Sequence, residues 1–421
     1  MKFFILINND YDGVGQVAIN LANNLKKLNH KVKVSSLHSK IKNNDIQIME
    51  RLLFLRIISF VLNLLKIKKI KDFKKNFLDL FWFGNSTIRF NTIKNDIEES
   101  DVIIIFTFHK IISKSIFEKI MKCKKIILLR PLDMELATGG CHFNADCQNF
   151  IQDCNKCPKL NFLNLFNVTK KNLTEKKRIV DRFKPKILAQ NTYVKKIFQK
   201  SSIFNEAEIH IARLDVRKDR KFFYTKDDAR EILNLNKKEN IILFGAFDLS
   251  AHHKGGHLLT DALKLLETKY LKIGQKKDFL CDTRLLTIGK KNNFDFNSSV
   301  IKWSHLGLVN SDKNLNLLYR AADVLVCPSL QCFAPHIVSE AVENKLPVIA
   351  FDVGVAQDDI KHGENGFLVP CYDTSIFAKS IYQFLYNEKI REKILASSKK
   401  YNPERAEDEA TTIINYTSKF I

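Results

Sequence analysis

The chain has no uncharged apolar run long enough to cross a bilayer, no internal repeat and no low-complexity linker. These absences exclude a membrane-spanning helix and a repeat architecture. Its start, MKFFILINNDYDG, has five apolar residues before Asn8 and no cleavage-site pattern. No secretory leader is therefore expected, and the cytoplasm is the expected compartment. Acidic residues are scarce, with 46 Asp+Glu against 68 Lys+Arg and a formal net charge of +22. Such a surface suits phosphate-bearing substrates, anionic lipid or nucleic acid, and does not choose among them. No RNP, helix-turn-helix or zinc-finger pattern accompanies the charge, and the basic residues are dispersed, so nucleic acid is not the expected partner. Nine cysteines in a reducing compartment do not read as a disulfide framework.

What is present is enough apolar sequence for two cores. A chain of 421 residues with 45% hydrophobic and 27% charged residues predicts two globular domains. Phe3–Ile7 reads as a strand running into a loop with Gly13 and Gly15, then a helix with Val14, Val17, Ala18, Leu21, Leu25 and Leu28 at helical spacing. The two glycines permit close approach of backbone to a ligand; a plain strand-to-helix turn is the other reading, because the third glycine and the acidic residue of a dinucleotide fingerprint are missing. Glu50–Phe83 mixes apolar residues with Lys and Arg. It reads either as a basic amphipathic helix lying on an anionic membrane or as a packing helix pair with solvated lysines. Asp101–Phe106 is a further strand, and it places His109 just beyond its end, where a cleft residue or a structural histidine would stand.

Lys125–Arg130 is another strand and leads into RPLDMELATGGCHFNADCQNFIQDCNKCPKL. Cys141, Cys147, Cys154 and Cys157 are spaced C-x5-C-x6-C-x2-C. Four thiolates in one short loop can close a tetrahedral zinc site, and such a set leaves no open position for catalysis. Buried thiols or a disulfide pair are the alternatives. Lys171–Asp181 reads as a helix, Ile187–Asn191 as a strand and Ile209–Phe223 as an interdomain linker.

Thr225-x-x-Asp228 marks a helix start and Ile241–Phe244 a strand. Gly245 supplies a turn, and Lys254-Gly255 opens a helix with Leu258, Leu259, Ala262 and Leu263 inward. His252, His253 and His257 stand nearby as further cations or as a solvated trio. Arg284–Gly289 is the next strand. Val324–Cys327, a polar turn, a helix carrying Ile337, Val338, Ala341 and Val342, and Val348–Phe351 closed by Asp352 and Gly354 together form a βαβ unit. The turn at Phe333–His336 leaves the first helix amides for an anionic group such as diphosphate. Glu340, about one turn in, can accept from ribose hydroxyls, and Lys254 can meet a diphosphate as a point charge. A buried crossover with a solvated Glu340 would show the same apolar runs. Beyond Gly366 the pattern gives two helices, then a last one over Glu404–Phe420.

The stretch Pro328–Pro370 resembles the C-terminal signature of the GT-B glycosyltransferases of family 4, the group 1 glycosyltransferases. Pro328, Ser329, Glu340, Pro347, Val348, Gly354, His362, Gly363, Asn365 and Gly366 match; Cys332 stands at the first Glu position and Lys345 where the family has Gly. Asp133, Met134, Thr138, Gly139, Gly140, Cys141, His142, Cys147, Cys154, Cys157 and Pro158 resemble a subgroup acting in capsule, exopolysaccharide and lipopolysaccharide synthesis. Leu132 replaces the His that many members carry, and Ala246 replaces an Arg. The resemblance implies an α/β GT-B chain, two Rossmann-like domains with parallel sheets facing across a cleft. An acceptor-side domain would cover 1–212, with its Cys-rich loop at 138–158; a nucleotide-sugar domain would cover 213–400, and 401–421 would cross back.

It implies retaining, metal-independent hexosyl transfer from a nucleotide-diphosphate sugar to a glycan or lipid-linked glycan; the basic Glu50–Phe83 segment and the overall charge add a peripheral place on the inner face of the membrane as an option for a cytoplasmic chain. No cofactor is implied for catalysis. Gly13 and Gly15 would face the cleft, and Lys254, Gly255, Phe333, His336, Glu340 and Gly354 would surround the donor. Asp133, then His109, are the candidate catalytic side chains near the acceptor. The departures at Cys332, Ala246 and Leu132 carry the alternative of a catalytically impaired relative acting as a binding or assembly partner.

Overall fold

The computed structural model describes all residues except 12, 41–45, 50–80, 83, 146, 161–166, 216–223, 271–281, 310 and 403–407. The chain divides into two compact units, Met1–Asp215 with Ala406–Ile421, and Val216–Arg405. Nearly all of the Glu50–Phe83 segment lies outside the described residues. No helix among those described is long and apolar enough to cross a membrane.

The first unit is built on β1 (Lys2–Asn9), β2 (Lys31–His38), β3 (Ile46–Ile48), β4 (Val102–Ile105), β5 (Ile126–Leu129), β6 (Lys186–Ala189) and β7 (Ile209–Ile211). Among the described residues they form one parallel sheet in the order β3-β2-β1-β4-β5-β6-β7. The first strand lies inside the sheet, and the chain grows outward from it on one side, then the other. β1 and β4 are consequently neighbours whose following loops diverge, the place where such sheets bind ligands. Phe3–Ile7 and all of β4 are buried, as a sheet covered on both faces requires. Helix α1 (Gly13–Lys27) buries Val17, Ala18, Leu21, Ala22 and Leu25 against them. Its companions are α2 (Asn91–Glu99), α3 (Lys114–Lys122), α4 (Val168–Phe183) and α5 (Thr192–Lys200). Ser113 caps α3 by accepting from the Ile116 amide, and Asn191 caps α5 by accepting from Val194.

The second unit repeats the plan with β8 (Asn240–Asp248), β9 (Thr283–Lys290), β10 (Lys302–His305), β11 (Val324–Cys327), β12 (Val348–Phe351) and β13 (Gly366–Val369). The order is β10-β9-β8-β11-β12-β13, again parallel, so β8 and β11 flank the divergence. Its helices are α6 (Lys226–Ile232), α7 (Gly256–Leu265), α8 (Asp312–Ala321), α9 (His336–Glu343), α10 (Ala356–Asp359), α11 (Thr374–Tyr386) and α12 (Glu388–Lys400). Thr225 and Asp228 close the expected capping box at α6.

Two stretches differ from the sequence reading. Ile209–Ile211 is the edge strand β7 rather than linker, and Gly366–Val369 is the edge strand β13 ahead of the two helices. β7 is three residues with a histidine between two isoleucines, and β13 opens on a glycine, so neither shows the uninterrupted apolar run of an inner strand.

One buried carboxylate with its cationic partners organises each unit. Arg130, which follows β5, is fully buried and donates to the carbonyls of Leu188 (2.9 Å) and Ala212 (2.7 Å). It pairs with Glu409 on α13 (Glu409–Thr417), which ties the last helix to the sheet. Burial drives the Glu409 carboxyl up to about 7, against the pull of the guanidinium. In the second unit Asp323 accepts from the Ile241 amide (2.7 Å), Arg230 (2.8 Å) and Arg391 (2.7 Å), and also pairs with Lys226. Burial would raise its pKa; these partners together hold it below the usual carboxylate value.

Replacing one half of a buried pair strands the other charge, at a cost of about 3–5 kcal/mol. Glu409→Ala is expected to lower the unfolding free energy of the purified chain, read from its urea transition, by that amount, with a lower midpoint, and Glu409→Gln, which keeps an acceptor, by less. An unchanged midpoint for Glu409→Ala would show that the pair does not hold the helix.

Candidate functional site

In the second unit the loops after β8, β11 and β12 lean on one another. After β8, a short turn through His252–Lys254 reaches Gly255 at φ +71°, and α7 starts there. A Cβ on Gly255 would lie 1.8 Å from the carbonyl oxygen of Pro328, so only glycine admits the approach. The Leu330 amide donates to the His253 carbonyl at 2.9 Å, and Lys254 Nζ lies 3.6 Å from Cys332 Sγ. After β12, Gly354 at φ +63° would place a Cβ 2.1 Å from the Cys332 carbonyl oxygen and 2.8 Å from that of Phe333. Lys254, Gly255, Phe333 and Gly354 thus converge on residues 328–335, directly ahead of α9.

Pro335, the N-cap of α9, supplies no side-chain acceptor to the first turn. His336 is the first residue of that helix and is half-buried, and Phe333 packs its ring inside. Glu340 is also half-buried; one of its carboxylate oxygens accepts from the Tyr319 hydroxyl at 2.6 Å. Tyr319, buried on α8, therefore fixes the angle of Glu340, a role the sequence pattern did not disclose. His253 does not serve as an extra cation: burial, then the charges of Lys254 and His252, push its pKa down to about 4. His252 and His257 stack with ring centroids 4.5 Å apart.

In the first unit Gly13 opens α1, and a Cβ there would meet no described atom within 4 Å. Gly15 is different, because its Cβ would fall 2.1 Å from the Asn9 carbonyl oxygen. Asp10, fully buried beside them, accepts from the Lys40 amide at 3.0 Å and from Ser39.

His109 and Asp133 come together through residues the sequence reading had not joined to them. Asp133 Oδ2 lies 2.7 Å from His142 Nδ1, and Asp133 Oδ1 accepts from the Glu135 amide at 2.8 Å. Glu135 Oε2 accepts from Thr107 Oγ1 and the Phe108 amide, both at 2.9 Å. The His109 ring stands edge-on to that of His142, centroids 5.3 Å apart. Lys176 donates to the carbonyls of Glu135 (2.6 Å) and Thr138. Burial lowers the His142 pKa, but Asp133 and Glu135 overcome it and carry it up to about 9. Burial raises Glu135 and pushes Lys176 down to about 8. The Asp-x-Glu spacing and His142 were visible in the sequence; that they meet depends on how the loop after β5 folds back.

Cys141, Cys147, Cys154 and Cys157 line one small cavity with Phe81, Thr138, Gly139 and Phe150. No disulfide joins them. The Gly139 amide donates to Cys154 Sγ at 3.2 Å, and burial raises the Cys154 thiol to about 12 and also raises Cys141 and Cys157.

Residues 225–401 match the model of the glycosyl transferases group 1 family. An uncharacterized glycosyltransferase of Methanocaldococcus jannaschii is 29% identical over 181 residues, which span 42% of this chain and 43% of that protein. Among solved structures, sucrose-phosphate synthase from Thermosynechococcus elongatus aligns over 100% of this chain and 98% of its own, with a TM-score of 0.64 at 14% identity. WaaG, a glycosyltransferase involved in lipopolysaccharide biosynthesis, aligns over 99% of both chains with a TM-score of 0.62 at 13% identity. HepE of Anabaena in complex with UDP-glucose aligns over 100% of this chain and 99% of its own, with a TM-score of 0.61 at 12% identity. The fold is GT-B. Within this GT-B chain, the stretch that matches the family model includes Lys254, Gly255, Phe333, His336, Glu340 and Gly354.

The glycine argument is directly testable. Gly354→Ala and Gly363→Ala both force a left-handed backbone on alanine, at about 1–2 kcal/mol. Only at Gly354 does the Cβ also strike a carbonyl; at Gly363 it meets nothing within 4 Å. Gly354→Ala is expected to lower the thermal midpoint clearly more than Gly363→Ala. Equal shifts would mean that the loops after β11 and β12 are not in contact.

Proposed function

We propose that the chain is a retaining, metal-independent hexosyltransferase that moves a sugar from a nucleotide-diphosphate sugar to a glycan or lipid-linked glycan in cell-surface polysaccharide synthesis. One observation carries this reading: Lys254, the start of α9 and Glu340 belong to a single set of loops at the carboxyl ends of β8, β11 and β12. Departure of a nucleoside diphosphate from a sugar needs its developing negative charge neutralised in place. Lys254 offers a point charge and the start of α9 a positive dipole end. Glu340, braced by Tyr319, accepts from the ribose hydroxyls. Gly255 and Gly354 let the loops close without side chains intruding on the phosphates.

The first unit provides the acceptor side, with Asp133 as the carboxylate and His109 behind it. Gly13 and Gly15 contribute backbone at the divergence of β1 and β4. The family match of residues 225–401 and the full-length likeness to WaaG and HepE support glycosyl transfer. The excess of positive charge suits a peripheral position on the inner face of an anionic membrane. The four cysteines hold a structural zinc ion, which adds to the small apolar cluster of Phe81 and Leu160 beside them.

Incubation with a panel of UDP- and GDP-sugars is expected to show release of nucleoside diphosphate from one of them. Lys254→Ala should lower kcat/KM by about 100-fold, the loss typical of one electrostatic contact to the transition state. Binding without turnover would instead mark a non-catalytic relative, the reading that Cys332, Ala246 and Leu132 invite. Absence of binding by every donor would overturn both.

A further inference from the structure

The loop after β5 brings two buried side-chain atoms, a carboxylate oxygen and an imidazole nitrogen, together with no hydrogen bond between them. Glu135 Oε1 and His142 Nε2 are each enclosed, and among the described residues neither has a hydrogen-bond partner. They lie 3.7 Å apart, and the side chains are 1% and 7% exposed. The other atom of each group is fully engaged. Glu135 Oε2 accepts from Thr107 and Phe108, and His142 Nδ1 meets Asp133 Oδ2 at 2.7 Å. In this dry interior the carboxylate oxygen needs something positive facing it, either a proton on Nε2 or a cation between the two atoms. A proton on Nε2 would draw the pair to about 2.7–3.2 Å, the normal range of such a bond. Two donors on one tetrahedral ion, each about 2.0–2.1 Å from it, sit about 3.4 Å apart, nearer to what is observed.

His109 completes the set. One donor atom each from His109, Glu135 and His142 lie within 4.8 Å of one another, and all three residues are buried. Two imidazoles bound to one tetrahedral ion hold their centroids about 5 Å apart; the measured separation is 5.3 Å, with the rings nearly perpendicular. The surroundings match what metal-bound groups require. A metal-binding histidine usually donates its second nitrogen to a carboxylate, as His142 does to Asp133, and a metal-binding carboxylate is itself hydrogen-bonded, as Glu135 is.

We propose that His109, Glu135 and His142 form a buried site for one divalent first-row transition ion, with zinc the ion that two imidazoles and a carboxylate suit best. The site is separate from the four-cysteine cavity, although Cys141 and His142 are neighbours in sequence. The ion would clamp the loop after β5 to the loop after β4. Asp133 would then be held at a set angle by a metal-bound imidazole, and His109 would be a ligand rather than a second acceptor-side group.

Titration of the chelator-stripped chain with cobalt(II), followed in the visible and near-ultraviolet, tests this without reference to turnover. One equivalent should bind with weak visible bands and no sulfur charge transfer, whatever the thiols bind in addition. His109→Gln and His142→Gln should each remove that equivalent and leave any thiolate band unchanged. Asp133→Asn, which touches only the outer contact, should weaken it by about 10–100-fold. The proposal is overturned if the wild-type chain takes up cobalt only with a thiolate band or not at all. It is also overturned if the folded His109→Gln or Asp133→Asn chains titrate as the wild type does. Nitrogen-15 spectra showing both His142 nitrogens protonated in the metal-treated chain would assign the gap to a proton instead. Should the glutamine variants fail to fold, the wild-type spectrum and the Asp133→Asn titration decide the matter.

Discussion

Two backbone carbonyls, those of Pro328 and Cys332, are approached by Gly255 and Gly354 to distances that no side chain would survive. The proposed donor site depends on that crowding. Residues 328–335 are clamped from both sides, so α9 starts at a set place relative to Lys254, and Glu340 follows one turn later. A lysine on a long stem is mobile by itself; here its Nζ lies 3.6 Å from Cys332 Sγ. In the proposed donor site, thiol in place of the carboxylate expected at position 332 leaves that lysine beside a weaker acceptor, with more of its charge available to an incoming phosphate.

The same logic operates in the first unit with different chemistry. There the parallel strands also diverge beside the first strand, and their carboxyl ends carry Gly15 pressed on Asn9, then Thr107–His109, then Asp133 and Glu135. Polar side chains, not close-packed backbone, hold this end together. Asp133 pairs there with His142, Glu135 accepts from Thr107 and the Phe108 amide, and Lys176 donates to the carbonyls of Glu135 and Thr138. A cluster of this kind is stable only when every charge is accounted for. That requirement makes the 3.7 Å approach of Glu135 Oε1 to His142 Nε2 meaningful.

Much of this was legible in the sequence. The inner strands are continuous apolar runs because they are covered on both faces; Val324–Cys327 and Val348–Phe351 lie where the pattern puts them. Lys254, Gly255, Glu340 and Gly354 were picked out by the turn and helix signals around them. Edge strands were not legible, since the histidine in β7 and the glycine that opens β13 interrupt the apolar run that burial on both faces writes into a strand. The contact of Tyr319 with Glu340, and the meeting of Glu135, His142 and His109, join positions 21 and 33 residues apart at their widest. Such pairings follow from the path of the chain in three dimensions, and no local spacing announces them.

The central claim is that a nucleoside diphosphate sits against Lys254 and the start of α9, and Cys332 offers a built-in reporter. Its half-exposed thiol lies 3.6 Å from Lys254 Nζ, inside the volume the phosphates would occupy. Alkylation with iodoacetamide, read peptide by peptide in a mass spectrometer, measures occupancy there. Saturating UDP or GDP should slow labelling of Cys332 severalfold and leave the half-exposed Cys123 of the first unit unaffected. Equal labelling of Cys332 with and without every nucleotide would contradict the account.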